Sequence, residues 1–581
     1  MHLHSHTESI AHALFHATGF GSALEKGLFE GLDRDLVTAV LDEAARFAEA
    51  EIAPVDRVGD VEGCTYDPVG RSVSMPPGWR EAYAAFREAG WASAPGDPEH
   101  GGQGMPLTLA VALQEIWNAA SVAFGLCTLL TQGACETLSR FASADLKARF
   151  LPRMISGEWT GAMCLTEPQA GSDLSTIRTM AEPDADGAWR LSGQKIFISF
   201  GEHDLTGNIV HLVLARTPDA PPGTRGLSLF LVPKVLEDGT RNTVFATGLE
   251  RKTGLHASPT VPLSFEGARG WLIGERHRGL AHMFVMMNNA RLHVGVQGVG
   301  VAEHAWRKAS AFARERRQGR RPGREGQVPI VEHPDVRRML LDSIAMTAAA
   351  RCICLETAFA SDMARLAEDE NARRRHAAHA ALMTPLAKAF STDVGVEVAD
   401  TAIQVHGGMG YMEETGAAQL LRDARILPIY EGTNGIQALD LAYRKLPMDD
   451  GLPLRRHMDG IADLSRRLKT RPELSETGAR LGWALQTLGE AARFMEANLK
   501  DGNARPSAAA VPFLRLHALV AGGAGLARMA LATGDPAHVL TAGHFMRGPL
   551  AETAALKNVI MGASDTIVDA ETLRLLTEEG S

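Results

Sequence analysis

Residues Met163–Leu174 read MCLTEPQAGSDL, and the texture of the chain changes across them. Upstream, from Asp33, the residues Leu36, Val37, Val40, Leu41, Ala44, Phe47 and Ala48 recur at three and four, the period of an amphipathic helix. The segment to about Gly157 reads as helical, broken by a turn-rich loop at Ala94–Pro106, APGDPEHGGQGMP. Downstream come short alternating runs bounded by Gly, Pro and Asp: Trp189–Ile198, Ile209–Ala215, Leu227–Val232 and Val261–Phe265. These predict a β-domain between about Glu158 and Gly279. On composition alone MCLTEPQAGSDL is a loop, with Pro168 and Gly171 setting the turn and Thr166, Ser172 and Asp173 capping neighbouring backbone.

Helical periodicity returns from about Leu280 to Tyr443, with breaks at Arg320–Pro329 (RRPGREGQVP) and at the glycine cluster Gly407–Gly410. Four or so long helices there predict a bundle. A short linker, Leu446–Pro453 (LPMDDGLP), leads into an Ala- and Leu-rich helical tail. The predicted parts are 1–157, an N-terminal helical domain; 158–279, a β-domain; 280–445, a helical bundle; and 446–581, an additional helical domain. With 581 residues the chain is too long for one core, which agrees with about four packed units. No βαβ alternation follows the strand run, so a doubly wound nucleotide-binding fold is disfavoured. The nearest thing to its fingerprint, Gly298, Gly300 and then Glu303, lacks a third glycine and a preceding strand.

Lys plus Arg number 59 against 69 for Asp plus Glu, a net charge of −10, the wrong sign for neutralising phosphate backbones. Nucleic acid is not expected as a partner. The six cysteines, Cys64, Cys127, Cys135, Cys164, Cys352 and Cys354, form no CxxC pair, so a reduced, cytoplasmic chain without a metal site is expected. MHLHSHTES at the start lacks the form of a signal peptide. The longest apolar span, Ala518–Ala527, ends at Arg528, short of the ~20 residues that cross a bilayer. No integral membrane association is expected.

The same order of parts, with MCLTEPQAGSDL at the entry to the β-domain, resembles the acyl-CoA dehydrogenases, flavoproteins with a helical domain, a β-domain and a helical bundle. The likeness recurs at Lys195–Ser199 (KIFIS), Lys252–Thr260 (KTGLHASPT), Asn289–Gly300 (NARLHVGVQGVG), Gln404–Gly408 (QVHGG) and Ile429–Ile436 (IYEGTNGI), and spans about residues 35 to 445. It implies FAD as cofactor, held by Met163, Leu165, Thr166, Ser172, Phe197, Ser199 and Thr433. Phe197 and Ser199 stand where the family places an aromatic ring and a hydroxyl against the flavin, the hydroxyl bonding N(5). KTGLHASPT looks like the family's following β-segment, and Ile198 is expected to pack inward. By default the run Arg314–Arg324 is a solvated helix end. By resemblance Arg316 reaches the FAD pyrophosphate of a neighbouring subunit, and Gln404, Gly407 and Gly408 touch that same FAD, which implies a homodimer or higher homo-oligomer. Ser172, Asn288 and Arg291 are the implied substrate contacts, Asn288 replacing a frequent Asp. Asn434 and Gly435 replace a frequent Ser and Gln, and Tyr443 stands where some relatives have an arginine beside Arg444.

A bare carboxylate such as Glu431, after Pro428 and before Gly432, is by default a solvated or capping residue. In the family this position is the catalytic base; some relatives carry it one residue before the helix arginine, here Ala290, which leaves Glu431 as the matching candidate. The implied reaction is α,β-dehydrogenation of an acyl-CoA thioester, Glu431 taking the α-proton and flavin N(5) the β-hydride, with electron-transfer flavoprotein as the acceptor. The length of the chain, the segment IWNAASVAFGLC (Ile116–Cys127) and the helical tail resemble a long subgroup of the family. That subgroup implies 3-methylmercaptopropionyl-CoA or another short or medium acyl-CoA as substrate. An acyl-CoA oxidase would share these motifs and differ in admitting oxygen to the reduced flavin. A nitroalkane oxidase calls for a shorter Asp base, and a DNA-associated flavoprotein of this fold for a basic tail, whereas residues 446–581 carry 15 Lys plus Arg and 16 Asp plus Glu.

Overall fold

The computed structural model of the chain describes residues 5–323 and 325–577, so Arg324 of the predicted basic run lies outside the described residues. Two compact units result. One joins 44–106 with 116–290, and the other joins 5–43, 107–115 and 291–577.

The first unit holds the strands. A small antiparallel pair, β1 (Thr65–Asp67) with β2 (Ser72–Ser74), precedes the main sheet. That sheet contains β3 (Trp159–Cys164), β4 (Met180–Pro183), β5 (Trp189–Ser199), β6 (Asn208–Arg216), β7 (Leu227–Pro233), β8 (Val244–Ala246) and β9 (Thr260–Ile273). Strand β7 pairs with both β6 and β9, which closes the path β6-β4-β5-β9-β7 into a circuit; β3 runs parallel to β6 and β8 antiparallel to β9. Strands β6 and β7 are buried almost throughout, while β5 mixes buried and open positions, as one solvent-facing surface requires. Val213, Phe230, Val232, Val261 and Phe265 fill the interior. The pairing is mixed and not doubly wound.

The sequence reading passes over β1 to β4 and β8, which are short or, in β3, built of Thr160, Gly161 and Ala162, residues with little intrinsic strand signal. It also extends the strand region too far upstream of β9. Most of KTGLHASPT is a turn, not strand: Leu255 has φ +50°, Lys252 Nζ donates to the Ser258 carbonyl at 2.9 Å, and the strand begins only at Thr260 after Pro259.

In the second unit the long helices Pro334–Leu366 and Glu370–His406 pack beside the part of Gly279–Glu315 that belongs to it. Three helices in the 280–445 region exceed thirty residues; the rest is short, notably Ala417–Ala424 and Asn434–Asp440. Gly298, rejected above as a phosphate-binding glycine, has a packing reason instead: a Cβ there would lie 2.2 Å from the Ser391 carbonyl oxygen. The tail helices Leu452–Lys469, Ser475–Lys500 and Arg505–Thr533 belong to this same unit. Arg505–Thr533 carries an 18-residue window with mean hydropathy 1.4, long and apolar enough to span a bilayer, which corrects the shorter span read from sequence. In the fold 83% of that window is buried, the pattern of a core helix. All six cysteines are free thiols, five of them buried.

Candidate active site

Glu431 occupies a tight turn between Ile426 and Thr433. Its φ is +56°, one of few non-glycine residues in the left-handed region, and Gly432 follows at +86°. Side chains with a Cβ avoid this conformation, so surrounding contacts must hold it. They are identifiable. The Asn434 N–H donates to the Pro428 carbonyl at 2.9 Å, and Gln437 Nε2 donates to the Gly432 carbonyl at 3.3 Å. The Thr433 hydroxyl accepts the Ile436 N–H at 3.2 Å, capping Asn434–Asp440. Thr433 is thereby committed first to the turn, with its own O–H left to donate.

The Glu431 carboxylate is half-buried, and among the described residues it makes no hydrogen bond or ion pair. Burial pushes its pKa up to about 7, against the pull of the Arg291 and Lys388 cations. Arg291 is 6% exposed, and its Nη1 lies 3.9 Å from Asp440 Oδ2, a carboxylate that also meets Arg444 at 3.3 Å and Lys445 at 3.8 Å. The turn lies against this arginine, since a Cβ on Gly432 would lie 3.8 Å from Arg291 Nη2. Glu431 and Thr433 therefore share one turn, and Arg291 lies against it. Tyr430, next to the base, donates its hydroxyl to Gln297 Oε1.

The support beneath the turn was not singled out from sequence. Lys388 is fully buried, and its Nζ donates to Asn434 Oδ1 at 2.9 Å. Asn434 Nδ2 donates in turn to Asp393 Oδ1 at 2.8 Å and Ala389 O at 3.1 Å. Asn434, which stands for a frequent Ser, is turned inward as the joint between this loop and helix Glu370–His406. Burial lowers the Lys388 pKa to about 7 and raises that of Asp393 to about 6. Tyr443, the other departure, exchanges a hydrogen bond with Ser507 at 2.7 Å.

A second cluster gathers Arg316 and the QVHGG segment. Phe312, one turn before Arg316, stacks on His406 with ring centroids 4.4 Å apart. Gly407, at φ +62°, ends helix Glu370–His406, and a Cβ on Gly408 would meet no atom within 4 Å. Arg316 and Gln404 are exposed, and the Arg316 guanidinium has no partner among the described residues. Met409, Tyr411 and Met412 beside them are exposed, Tyr411 at 84%.

The strand-bearing unit holds the remaining candidates. Between β3 and β4 the loop from Leu165 is braced by Glu167, which is buried and accepts from Thr179 Oγ1 at 2.6 Å, the Arg178 N–H at 2.7 Å and Lys195 Nζ at 2.9 Å. Lys195, also fully buried, donates to the Leu165 carbonyl at 2.9 Å as well. Against the rise that burial alone would cause, Lys195 and these donors hold the Glu167 pKa down to about 2. The next residue, Thr166, receives the Ile196 N–H on its carbonyl at 2.9 Å. The β5–β9 register then slips between Lys195 and Ile198, a bulge at which Phe197 takes φ +57° and is 60% exposed. Ile198 packs inward at 2%. Met163 and Leu165 are largely covered, Ser172 is exposed on the loop and Asn288 is exposed on its helix. Among the described residues the hydroxyls of Thr166, Ser172 and Ser199 bond to no protein group. An outward aromatic ring at a bulge beside unpaired hydroxyls is a donor set that fits a flavin.

The closed, mixed sheet with its outward aromatic ring, and a helical unit in which a turn presents a basic carboxylate, without a partner among the described residues, beside a buried arginine, suit an oxidoreductase of acyl thioesters. The chain belongs to the acyl-CoA dehydrogenase family: it matches the acyl-CoA dehydrogenase N-terminal domain over residues 36–158, the middle domain over 162–268 and the C-terminal domain over 277–446. Residues 457–571 match the acetyl-CoA dehydrogenase C-terminal-like domain. FAD is the cofactor of this family. Among curated proteins, 3-methylmercaptopropionyl-CoA dehydrogenase of Ruegeria pomeroyi is 45% identical over 93% of this chain and 95% of that one. A butyryl-CoA dehydrogenase of Syntrophomonas wolfei is 39% identical over 74% of this chain and 73% of its own. In fold, the crystal structure of Caenorhabditis elegans ACDH-11 in complex with C11-CoA superposes with a TM-score of 0.78, covering 93% of this chain and 94% of that one at 23% identity.

Proposed function

We propose that this chain is an FAD-dependent acyl-CoA dehydrogenase that forms the 2-enoyl-CoA, with Glu431 as the base that removes the α-proton. The observation that carries this reading is the state of Glu431: a half-buried carboxylate, without a partner among the described residues, whose proton affinity is near neutrality. A carboxyl at its ordinary value would be a weak base for a thioester α-carbon; burial strengthens it, and a filled acyl site would desolvate it further. Its left-handed backbone fixes the direction of the carboxylate, and Thr433, Gln437 and the Lys388–Asn434 joint hold that backbone in place. By resemblance to the family, the Glu431 N–H donates to the thioester carbonyl, which acidifies the α-carbon. Arg291 binds substrate, as do Ser172 and Asn288.

FAD, when bound, supplies the acceptor for the β-hydride. Met163, Leu165, Thr166, Ser172, Phe197, Ser199 and Thr433 are the residues assigned to hold it, together with Arg316, Gln404, Gly407 and Gly408 of a neighbouring subunit. The open guanidinium of Arg316, the bare glycines and the exposed Tyr411 support a homo-oligomeric contact at that cluster. Electron-transfer flavoprotein is the assigned electron acceptor. The 45% identity to a 3-methylmercaptopropionyl-CoA dehydrogenase supports that acyl-CoA, or another short or medium one, as substrate. The organisation into parts at 1–157, 158–279, 280–445 and 446–581 belongs to the same reading.

The test is anaerobic titration of purified protein with acyl-CoAs of different chain length, followed by flavin bleaching. Wild-type protein is expected to bleach fastest with 3-methylmercaptopropionyl-CoA or butyryl-CoA, and Glu431→Gln to bind them with a flavin reduction rate lower by roughly 10²–10⁴-fold. Reduction of Glu431→Gln at the wild-type rate removes Glu431 from its role. A preference for palmitoyl-CoA refutes the substrate assignment.

A further inference from the structure

Three helices of the helical unit, Pro334–Leu366, Glu370–His406 and Leu452–Lys469, bring Glu356, His379 and His457 to a common point, and a fourth, Arg505–Thr533, sets His517 beside His457. Ligand atoms of Glu356, His379 and His457 all lie within 4.8 Å of one another. The His457 ring is 5.3 Å from that of His379 and 5.4 Å from that of His517, centroid to centroid. Glu356 is oriented from behind: Arg528 Nη1 holds one carboxylate oxygen at 2.7 Å, and the other faces His379 Nε2 at 2.9 Å.

What makes the cluster unusual is its unmet polarity. A neutral imidazole always carries one N–H and one lone pair. His517 is fully buried, and among the described residues neither of its ring nitrogens has a hydrogen-bond partner; His457 is 7% exposed, and its Nε2 likewise has none among them. Each such buried group has given up its hydrogen bond to water without a replacement, and two neighbouring rings share the defect. Packing alone gives no reason to keep histidine there, because an apolar side chain of similar size would remove the cost. A bound ion would meet it.

We propose that Glu356, His379 and His457, with His517 beside them, form a binding site for a divalent metal ion of the zinc type, joining the tail helices to the bundle helices. Two imidazole nitrogens and one carboxylate, with the fourth position left to the neighbouring His517 or to water, suit zinc or cobalt better than magnesium or calcium, which favour all-oxygen shells. Helical bundles build such sites from one side chain per facing helix. Four-coordinate zinc places its ligands about 2.0–2.1 Å from the metal, so the side chains would close by small rotamer changes. His379 then presents its Nε2 lone pair and carries its proton on Nδ1, and Arg528 stays on the outer carboxylate oxygen as the supporting contact. The His379 side chain, 25% exposed, supplies the route of entry.

The experiment uses full-length, FAD-loaded protein passed over a chelating resin and titrated with Co²⁺, then Zn²⁺. Because MHLHSH at the N-terminus is a competing binder, the titration is run with His2 and His4 changed to Ala. The expected result is one equivalent of Co²⁺ per chain with the visible absorption of a four-coordinate site, displacement by Zn²⁺, and no binding of Mg²⁺. His379→Gln, at a partly exposed position that should leave folding intact, and His457→Asn should each weaken Co²⁺ binding by about 10–100-fold or more while keeping FAD. If His457→Asn fails to fold, His379→Gln alone decides. Absence of the four-coordinate spectrum in the parent protein, or undiminished binding by His379→Gln, overturns the assignment and leaves an adventitious ion only.

Discussion

Below pH 7 Glu431 is largely protonated, since burial has raised its pKa to about 7, and a protonated carboxyl cannot take an α-proton. Flavin reduction by an acyl-CoA is therefore expected to rise with pH through about 7 and level off above it, measured by stopped-flow under anaerobic conditions; a flat profile from pH 5.5 to 8.5 would contradict the assigned base. The same shift has a stability side. The folded value lies above the unfolded one, so the contribution of this group to stability is fully present below about pH 4.5 and lost as pH rises through 7. Glu431→Gln keeps the shape of the protonated form, and in chemical denaturation should be more stable than wild type at pH 8, by at most about 3 kcal/mol, but not at pH 4.5. Lys388 favours the ionised form from below the turn, so Lys388→Met should move the midpoint of the rate profile upward. At this scale the sequence announced Glu431 and Arg291, because both lie in short, recognisable segments. Lys388 and Asp393 stayed hidden: they face inward from a long helix whose polar and apolar positions carry no mark of a distant loop, and only folding brings Asn434 onto them.

The bulge in β5 depends on a buried pair that a chain-level reading had no means of finding. Glu167 and Lys195 are separated by the whole of β4, and Lys195 falls at a position that alternation alone would assign to solvent or core without distinction. Their contact anchors the loop from Leu165 to the start of the irregularity at which Phe197 is turned outward. Lys195→Met would leave Glu167 buried without its cation, a loss of roughly 3–5 kcal/mol in chemical denaturation, with weaker FAD retention. The double change Lys195→Met with Glu167→Gln removes the stranded charge and should recover part of that stability; a double variant as weak as the single would mean that the pair matters only by packing. Strand legibility followed the same physics. Strands β6 and β7 are apolar runs and were read nearly to their ends, whereas β3 and β4 owe their extended form to pairing partners. Helix contacts follow a related rule on a finer grain: a Cβ on Gly525 would lie 2.5 Å from Cys352 Cβ, so Gly525→Val should force the two helices apart and cost about 1–3 kcal/mol.

For the molecule as a whole, the order of helical, strand-bearing and helical parts was readable because each changes the period of the hydrophobic pattern, but the path of the chain through its compact units was not. The helical unit is assembled from three separate stretches, and residues near both ends of the sequence meet in it: Arg528 donates to the Ala17 carbonyl at 2.9 Å while holding Glu356 at 2.7 Å. Near the start of that unit Glu115 forms a buried ion cluster with Arg351, which also binds Glu303 at 2.7 Å. No periodicity in a single stretch encodes such closures. They bear directly on whether the tail is an appendage. Helix Arg505–Thr533 lies so close to Pro334–Leu366 that a Cβ on Gly522 would be 2.8 Å from Ala349 Cβ, and Arg515 ties Glu397 to Glu552. Truncation after Lys445 would expose the buried faces of Ala345, Ala349 and Cys352, strip Glu356 of its arginine and remove the partner of Tyr443. Exposed apolar area of that kind drives association, and the carboxylate left behind resists burial. The truncated chain is therefore expected to be largely insoluble, or to elute as aggregate with less than the wild-type flavin content, by size-exclusion chromatography with absorbance at the flavin band. An appendage would behave otherwise: the shortened protein would elute as a single smaller species with full flavin content and an unchanged unfolding temperature, and that outcome would overturn the view that the last helices complete the core of the unit bearing Glu431.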